Sequence, residues 1–371
     1  MEDPLILTGA RVFDGSRFVT GDVALQGGRF VAPGAGRRLD LGGGVLAPGL
    51  IDLQVNGGGG IMLDGDATVE RIATICAAHA RLGTTGLLPT LITDSRAATQ
   101  TALAAGIAAV TRVPGFLGLH LEGPHIDPRR PGCHPPGHIR PIDEADMETL
   151  LEARTGLPAL MLTLAPAAAT PEQIGRLAAA GIFVSLGHAE ASMAEAAAAV
   201  AAGARGVTHL FNAMSQLGAR EPGMVGAALS LPVAAGLIAD GVHVAPEVMR
   251  LALRLAGERI YLVSDAMAVA GTDLAEFPLA GRRILRRDGA LRLENGTLAG
   301  ADLSLPQAVR TLIGLGVAPE VALAMASSRP AALIGHRAEI APGLPADLVH
   351  FDDDWRLTRV WQRGQEKSSA A

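Results

Sequence analysis

Three residues of this 371-residue chain pair a metal-binding side chain with the end of an apolar run. Glu122 closes "GFLGLHLEG", His188 closes "IFVSLGH", and His209 stands in "GVTHLFNAM". One carboxylate oxygen and two imidazole nitrogens with a fourth position left open suit a catalytic divalent metal, most often zinc. Such a metal makes hydroxide available near neutral pH. Asp265, closing "RIYLVSDA", has no ionic partner in its own segment and is a candidate general base. Taken singly, a histidine at a strand end is ordinarily just hydrogen-bonded, and an aspartate after a strand is often a helix cap. The functional reading rests on all of them occupying strand ends. His120 shares the face of Glu122 by the two-residue period of a strand. Ligation and support of a ligand are both open to it. His79, His336, His350 and Cys76 read as structural.

Those strand ends need elements that bring them together. Eight apolar segments alternate with Ala-rich amphipathic ones: "LIDLQVN", "TGLLPTLIT", "GFLGLHLEG", "ALMLTLAP", "IFVSLGH", "GVTHLFNAM", "AAGLIAD" and "RIYLVSDA". Continuous apolar strands alternating with helices predict a parallel sheet covered on both faces. Eight of them predict an α/β fold of the (β/α)₈ TIM-barrel type, whose strand C-termini converge on one face. Gln54 and Asn56 would reach that face from strand one, and Asn212, Asp240 and His243 from strands six and seven. Both chain ends instead read as short strands with Gly turns. The expected organisation is a small β-sandwich domain from residues 1–47 and 337–371, flanking a barrel over 48–336.

Composition narrows the function. Hydrophobic residues make up 49% and aromatics 3%, so the core is built from Ala, Val, Leu and Ile. A net charge of −6 without a basic block argues against nucleic acid as a partner. No apolar run is long enough to span a bilayer, and the acidic start lacks the pattern of a signal peptide, so a cytoplasmic protein is expected. Cys76 and Cys133 form no metal or disulfide motif. Lys367 is the only lysine, which leaves none in the body of the chain for Schiff-base chemistry, a phosphate loop or a carboxylated metal bridge.

Several blocks together resemble the N-acetylglucosamine-6-phosphate deacetylases of the amidohydrolase superfamily. They are "APGLIDLQVNG", "GLHLEGPHIDPRRPGCHPPGHI", "VSLGHAEA", "VTHLFNAMSQLGAREPGMVGAAL", "LIADGVHVAPE", "LVSDAMAVAG", "NGTLAGADLSL" and "GLPADLVHFD", in family order along nearly the whole chain. The resemblance implies Glu122, His188 and His209 as ligands of one divalent metal, zinc being the expected ion, and Asp265 as catalytic acid and base. It implies that His134 polarises the amide carbonyl. Asn212, Ala213 and His243 would line the sugar phosphate site, with Cys133, Leu298, Ala299 and Gly300 bordering the sugar. Arg220 would reach the phosphate from the neighbouring subunit of a homodimer. Many amidohydrolases carry His-x-His on strand one and two metals; here the position is Gln54-x-Asn56, a poor ligand pair that points to one metal. His125, His138 and Cys133 depart from the family pattern. The implied reaction is hydrolysis of the acetamide of N-acetylglucosamine 6-phosphate. The rivals are an N-acyl-D-amino-acid deacylase using the same machinery and a non-catalytic barrel retained as a scaffold.

Overall fold

The computed structural model describes residues 3–367. Eight parallel strands form its centre: β1 (Leu50–Val55), β2 (Thr84–Ile92), β3 (Leu119–Glu122), β4 (Leu160–Leu164), β5 (Phe183–Leu186), β6 (Gly206–Val207), β7 (Ala234–Leu237) and β8 (Ile260–Leu262). Each pairs with the next in sequence, as a barrel requires. Nearly every residue of these strands is buried, which explains their unbroken apolar runs. A helix follows each strand. Thr68, Ser95, Asp143, Thr170 and Ser192 cap the first five, each side-chain oxygen accepting from a backbone N–H in the first turn. The Ala-rich composition follows from packing, because small side chains let these helices lie close on the barrel wall. Leu119 and Leu157, for instance, lie against Gly106 of the helix Arg96–Ala109.

The chain ends meet in a second β unit. Leu348–Phe351 runs antiparallel to Val45–Pro48 in a six-stranded sheet, and Leu5–Thr8 lies within a four-stranded one. Leu7, Val12, Leu25, Phe30, Leu46, Leu348 and Trp361 form its apolar core. Residues 1–2 and 368–371 of the expected small domain lie outside the described residues.

One element departs from simple strand–helix alternation. Between β8 and its helix Leu305–Gly314 the chain builds an antiparallel four-stranded sheet: Glu276–Leu279, Arg282–Arg287, Ala290–Leu293 and Leu298–Ala301. Two-residue turns join the first three strands, with Ala280–Gly281 and Asp288–Gly289 all at positive φ. Its inner face buries Phe277, Leu279, Ile284 and Leu291 against Met267 and Val269. That packing places the last strand beside the C-terminal ends of the barrel. Among the described residues, no helix is long and apolar enough to cross a membrane.

Candidate active site

A cavity of about 360 Å³ opens at the C-terminal ends of the barrel strands. Glu122, Cys133, His134, His188, His209, Asn212, Ala213, His243, Asp265, Leu298, Ala299 and Gly300 all line it. Arg220 does not; it is exposed, in the loop after β6. Arg129 and Arg130 line the cavity although the sequence reading passed them over. Their signal was present as two cations just ahead of His134 in "PRRPGCH".

The buried end of the cavity is a cluster of three facing atoms. Glu122 Oε1 lies 2.9 Å from His209 Nε2 and 3.3 Å from His188 Nε2, and the two imidazole nitrogens are 3.1 Å apart. His188 Nδ1–H donates to the carbonyl of Arg130 at 2.8 Å, which leaves its Nε2 bare and facing the carboxylate. Ligands at zinc distance in a tetrahedral arrangement stand about 3.3 Å apart, so the spacing suits a cation held between them. Burial works against the ionised form of Glu122, but the facing imidazoles of His188 and His209 hold its carboxyl well below the usual range. By proximity, Glu122, His134 and His188 also form a possible metal group.

His134 faces the cluster differently. Its Nδ1 accepts from the backbone N–H of Thr93 at 3.3 Å and lies 2.7 Å from the Thr93 hydroxyl. An acceptor at Nδ1 puts the proton on Nε2, which points toward Glu122 Oε2 at 3.8 Å. Burial and the neighbouring His188 push His134 well below the ordinary imidazole value, so the ring is neutral.

Asp265 is tied to the cluster through the side-chain amides at the end of β1. Its Oδ1 accepts from Asn56 Nδ2 at 2.7 Å and from Gln54 Nε2 at 3.1 Å. Gln54 Nε2 also donates to Glu122 Oε1 at 3.0 Å. The amides of strand one therefore act as donors to two carboxylates. Burial, with the charge of Glu122 added, pushes the Asp265 carboxyl up to about 7. His188, His209 and Asp265 hold φ values of 45°, 30° and 50°, a backbone region unusual for residues with a Cβ. Such strain is concentrated where side chains must be aimed at one point.

Other residues divide clearly. His243 Nδ1 lies 2.6 Å from Asp240 Oδ2 and its Nε2 lies 3.0 Å from the Ala299 carbonyl. Two acceptors favour the imidazolium. Burial opposes the charge, but Asp240 outweighs it and raises the His243 pKa. His120 is engaged by Thr163 at 2.7 Å and Thr90 at 3.3 Å, inside the barrel. His125 turns away toward Arg140 and Asp146. His79 contacts the Gly57 carbonyl, His350 contacts Thr358 and the Gly43 carbonyl, and Cys76 is buried in helix packing. Burial and the charges of Asp265 and Glu122 push the Cys133 thiol up to about 12, so it remains protonated.

Comparison with known proteins gives a consistent picture. A family model described as the amidohydrolase family matches residues 45–367. An N-acetylgalactosamine-6-phosphate deacetylase of Shewanella sp. is 44% identical over 330 residues, covering 87% of this chain and 83% of that protein. A human N-acetylglucosamine-6-phosphate deacetylase is 34% identical over 97% of this chain and 95% of its own. The crystal structure of the N-acetylglucosamine-6-phosphate deacetylase from Pasteurella multocida superposes with a TM-score of 0.93 at 31% identity, covering 98% of this chain and 99% of the other.

Proposed function

This chain belongs to the amidohydrolase family, and from that premise we propose that it is a hydrolase that removes the acetyl group from N-acetylglucosamine 6-phosphate, giving glucosamine 6-phosphate and acetate. The observation that carries the reading is the convergence of Glu122, His188 and His209 within 3.3 Å of one another, between His134 and Asp265 in one cavity.

Members of this family are metal-dependent, and Glu122, His188 and His209 would hold one divalent ion, with zinc favoured by the His₂Glu donor set. His134 fits the ligand role less well, since its Nδ1 is the acceptor and its Nε2 carries a proton. Gln54 and Asn56 spend their amide hydrogens on Asp265 and Glu122, which leaves a second metal no imidazole on strand one. When bound, the ion supplies Lewis acidity that activates water and polarises the acetamide carbonyl.

The protein's own groups do the rest. Asp265, as a carboxylate, takes the proton of the attacking water and returns it to the departing amine nitrogen. His134 donates its Nε2–H to the carbonyl oxygen as negative charge develops there. Asn212, Ala213 and the backbone of Leu298–Gly300 border the sugar, with Cys133 as a neutral wall. His243 contributes positive charge on the phosphate side. Arg220 is assigned to the phosphate of the neighbouring subunit's substrate in a cytoplasmic homodimer. That assignment is supported by its exposure outside its own chain's cavity and by exposed apolar residues nearby in sequence and on the helix Pro246–Ala256, namely Leu217, Leu251 and Leu255.

A second substrate reading has its own support. The 44% identical relative acts on the galactosamine epimer, so N-acetylgalactosamine 6-phosphate belongs beside the glucosamine sugar as a candidate. The N-acyl-D-amino-acid and scaffold readings have no comparable support. The test is acetate release from both sugar phosphates and from N-acyl-D-amino acids, with metal content measured on the same sample. Release from at least one sugar phosphate, with one metal per chain, is expected. Turnover of the amino acids alone would reject the reading.

A further inference from the structure

The barrel is not closed by a regular ladder. Regular ladder pairing runs from β1 round to β8, but where β8 returns to β1 the described residues make an isolated bridge of Val55 with Ala266 and single backbone bonds from Asp265 N to Gln54 and from Asn56 and Gly57 N to Ala266. The physical reason is Asp265. Its φ of 50° turns the chain just past β8 and takes the backbone out of register with β1. Ser264 N–H therefore needs another acceptor.

Asp52 supplies it. This aspartate is fully buried in the middle of β1, between Ile51 and Leu53. Its carboxylate accepts from Ser264 N at 3.0 Å through Oδ2, with a longer contact of 3.3 Å to Oδ1, and from Gln54 N at 3.1 Å through Oδ1. No arginine or lysine pairs with it among the described residues, so it is not half of a buried salt bridge. A carboxylate buried without a cation is costly, and a valine or leucine would fill the same wall more cheaply. What the aspartate adds is an acceptor standing off the strand, where no backbone carbonyl reaches.

Its two partners are the residues that aim the proton carrier. Ser264 directly precedes Asp265. Gln54 receives Asp265 N–H on its carbonyl at 3.0 Å and donates its side-chain amide to Asp265 Oδ1. We infer that Asp52 is a positioning residue for Asp265: its buried carboxylate replaces the missing ladder bond at the β8–β1 seam and fixes the left-handed turn that points Asp265 into the cavity. The inference rests on the reading of Asp265 as the proton carrier. Glu122 ends β3, and His188 and His209 follow β5 and β6. Of the seam residues, Gln54 reaches Glu122 only by its side-chain amide, whereas Asp52 holds the Gln54 backbone N–H, so loss of Asp52 acts on proton transfer more than on metal or substrate binding.

The experiment compares Asp52→Ala and Asp52→Asn, each reconstituted with Zn²⁺, by kinetics on the two sugar phosphates, metal content, melting temperature and crystal structure. Asn keeps one of the two acceptor oxygens, which at the Oδ1 place still reaches Gln54 N and Ser264 N, whereas Ala removes both. Asp52→Ala is expected to lower kcat about thirtyfold or more, since misplacement by about 1 Å can cost about 10²-fold. KM should stay within about threefold and metal content should be unchanged, while the crystal structure shows the 2.7 Å contact between Asn56 and Asp265 lost. Asp52→Asn, with one acceptor kept, should lose clearly less than Ala, its kcat staying within about tenfold of the parent. A merely structural role predicts a lower melting temperature with kcat of the metal-loaded Ala variant within twofold, and that result overturns the inference. So does a loss in the Asn variant as large as in Ala. If the Ala variant does not fold, the Asn variant decides alone: a loss of tenfold or more with metal retained overturns the inference, and a smaller loss supports it. If the wild type releases no acetate, the functional reading fails, and the crystal structures still decide whether Asp265 moves without the Asp52 acceptor.

Discussion

At the scale of single residues, the site separates groups that accept protons from groups that donate them. Asp265 is buried and its carboxylate accepts from the side-chain amides of Gln54 and Asn56, and its carboxyl titrates near the range where a base is useful. Asn has its shape but cannot carry a proton. Asp265→Asn should therefore retain the fold and the metal while kcat falls by about 10²–10⁴. A near-normal kcat in the metal-loaded variant would remove the proposed mechanism. The sign of the pH dependence follows from the same residue. Its active form is the carboxylate, so kcat/KM falls as pH drops through its pKa. Burial and Glu122 set that value at about 7 in the bare protein. A dication on Glu122 cancels the repulsion, so the acidic limb of the metal-loaded enzyme should lie below 7. A profile that rises toward acid pH would contradict the assignment.

At the scale of elements, the loop after β3 is tied to the end of β5. Asp127 N–H donates to the His188 carbonyl at 2.9 Å. The Asp127 carboxylate accepts from Glu190 N at 3.2 Å and from the Arg129 backbone and guanidinium at 2.7–3.1 Å. The same loop places the Arg130 carbonyl on His188 and carries His134. Asp127→Ala removes the side-chain clamp and keeps the backbone bond. It should weaken zinc affinity by about tenfold or more, as losses of support behind a ligand do, with little change in the fold. Competition with a chromophoric chelator measures this, and parental affinity would show that the backbone alone holds His188. The inserted sheet is tied to the site from the other side. Arg282 donates to the Cys133 carbonyl, and Ala299 accepts from His243. Its Asp288–Gly289 turn stands plainly in "RRDGAL", yet the reading by strand–helix alternation passes over it. The strong eightfold period drew the sheet's residues into the barrel, although hairpins follow a local rule that does not depend on that period.

At the scale of the whole molecule, the exposure of Arg220 outside its own chain's cavity makes the proposed dimer testable. Arg220→Ala should mainly raise KM for the sugar phosphate, because a guanidinium binds phosphate alike in ground and transition states. Mixing denatured Arg220→Ala and Asp265→Asn chains and refolding them separates the two arrangements. If Arg220 crosses to a partner, each mixed dimer owns one complete site, and low-substrate activity should recover to roughly a quarter of wild type, the statistical expectation for random pairing. No recovery would place Arg220 in its own chain's site or outside the reaction altogether.

The sequence by itself determined the barrel and most of the side chains gathered at its C-terminal end. Eight apolar runs dictate eight buried strands, and the period of a strand carries Gln54, Asn56, Glu122 and their counterparts to one end. Residue chemistry likewise limited the site to a carboxylate and imidazoles without lysine. Only the tertiary structure decided which partner each group faces there. That His188 has a bare Nε2 depends on the Arg130 carbonyl, 58 residues away, and the proton on His134 depends on Thr93, 41 residues away. The structure also engaged His120 with Thr163 and Thr90 and turned His125 toward Arg140, though both stand in the same short motif as Glu122. The reason is physical. Strand periodicity is a local property written in consecutive residues, whereas a tautomer, a pKa or a seam closed by Asp52 is set by partners that only folding brings within 3 Å or so.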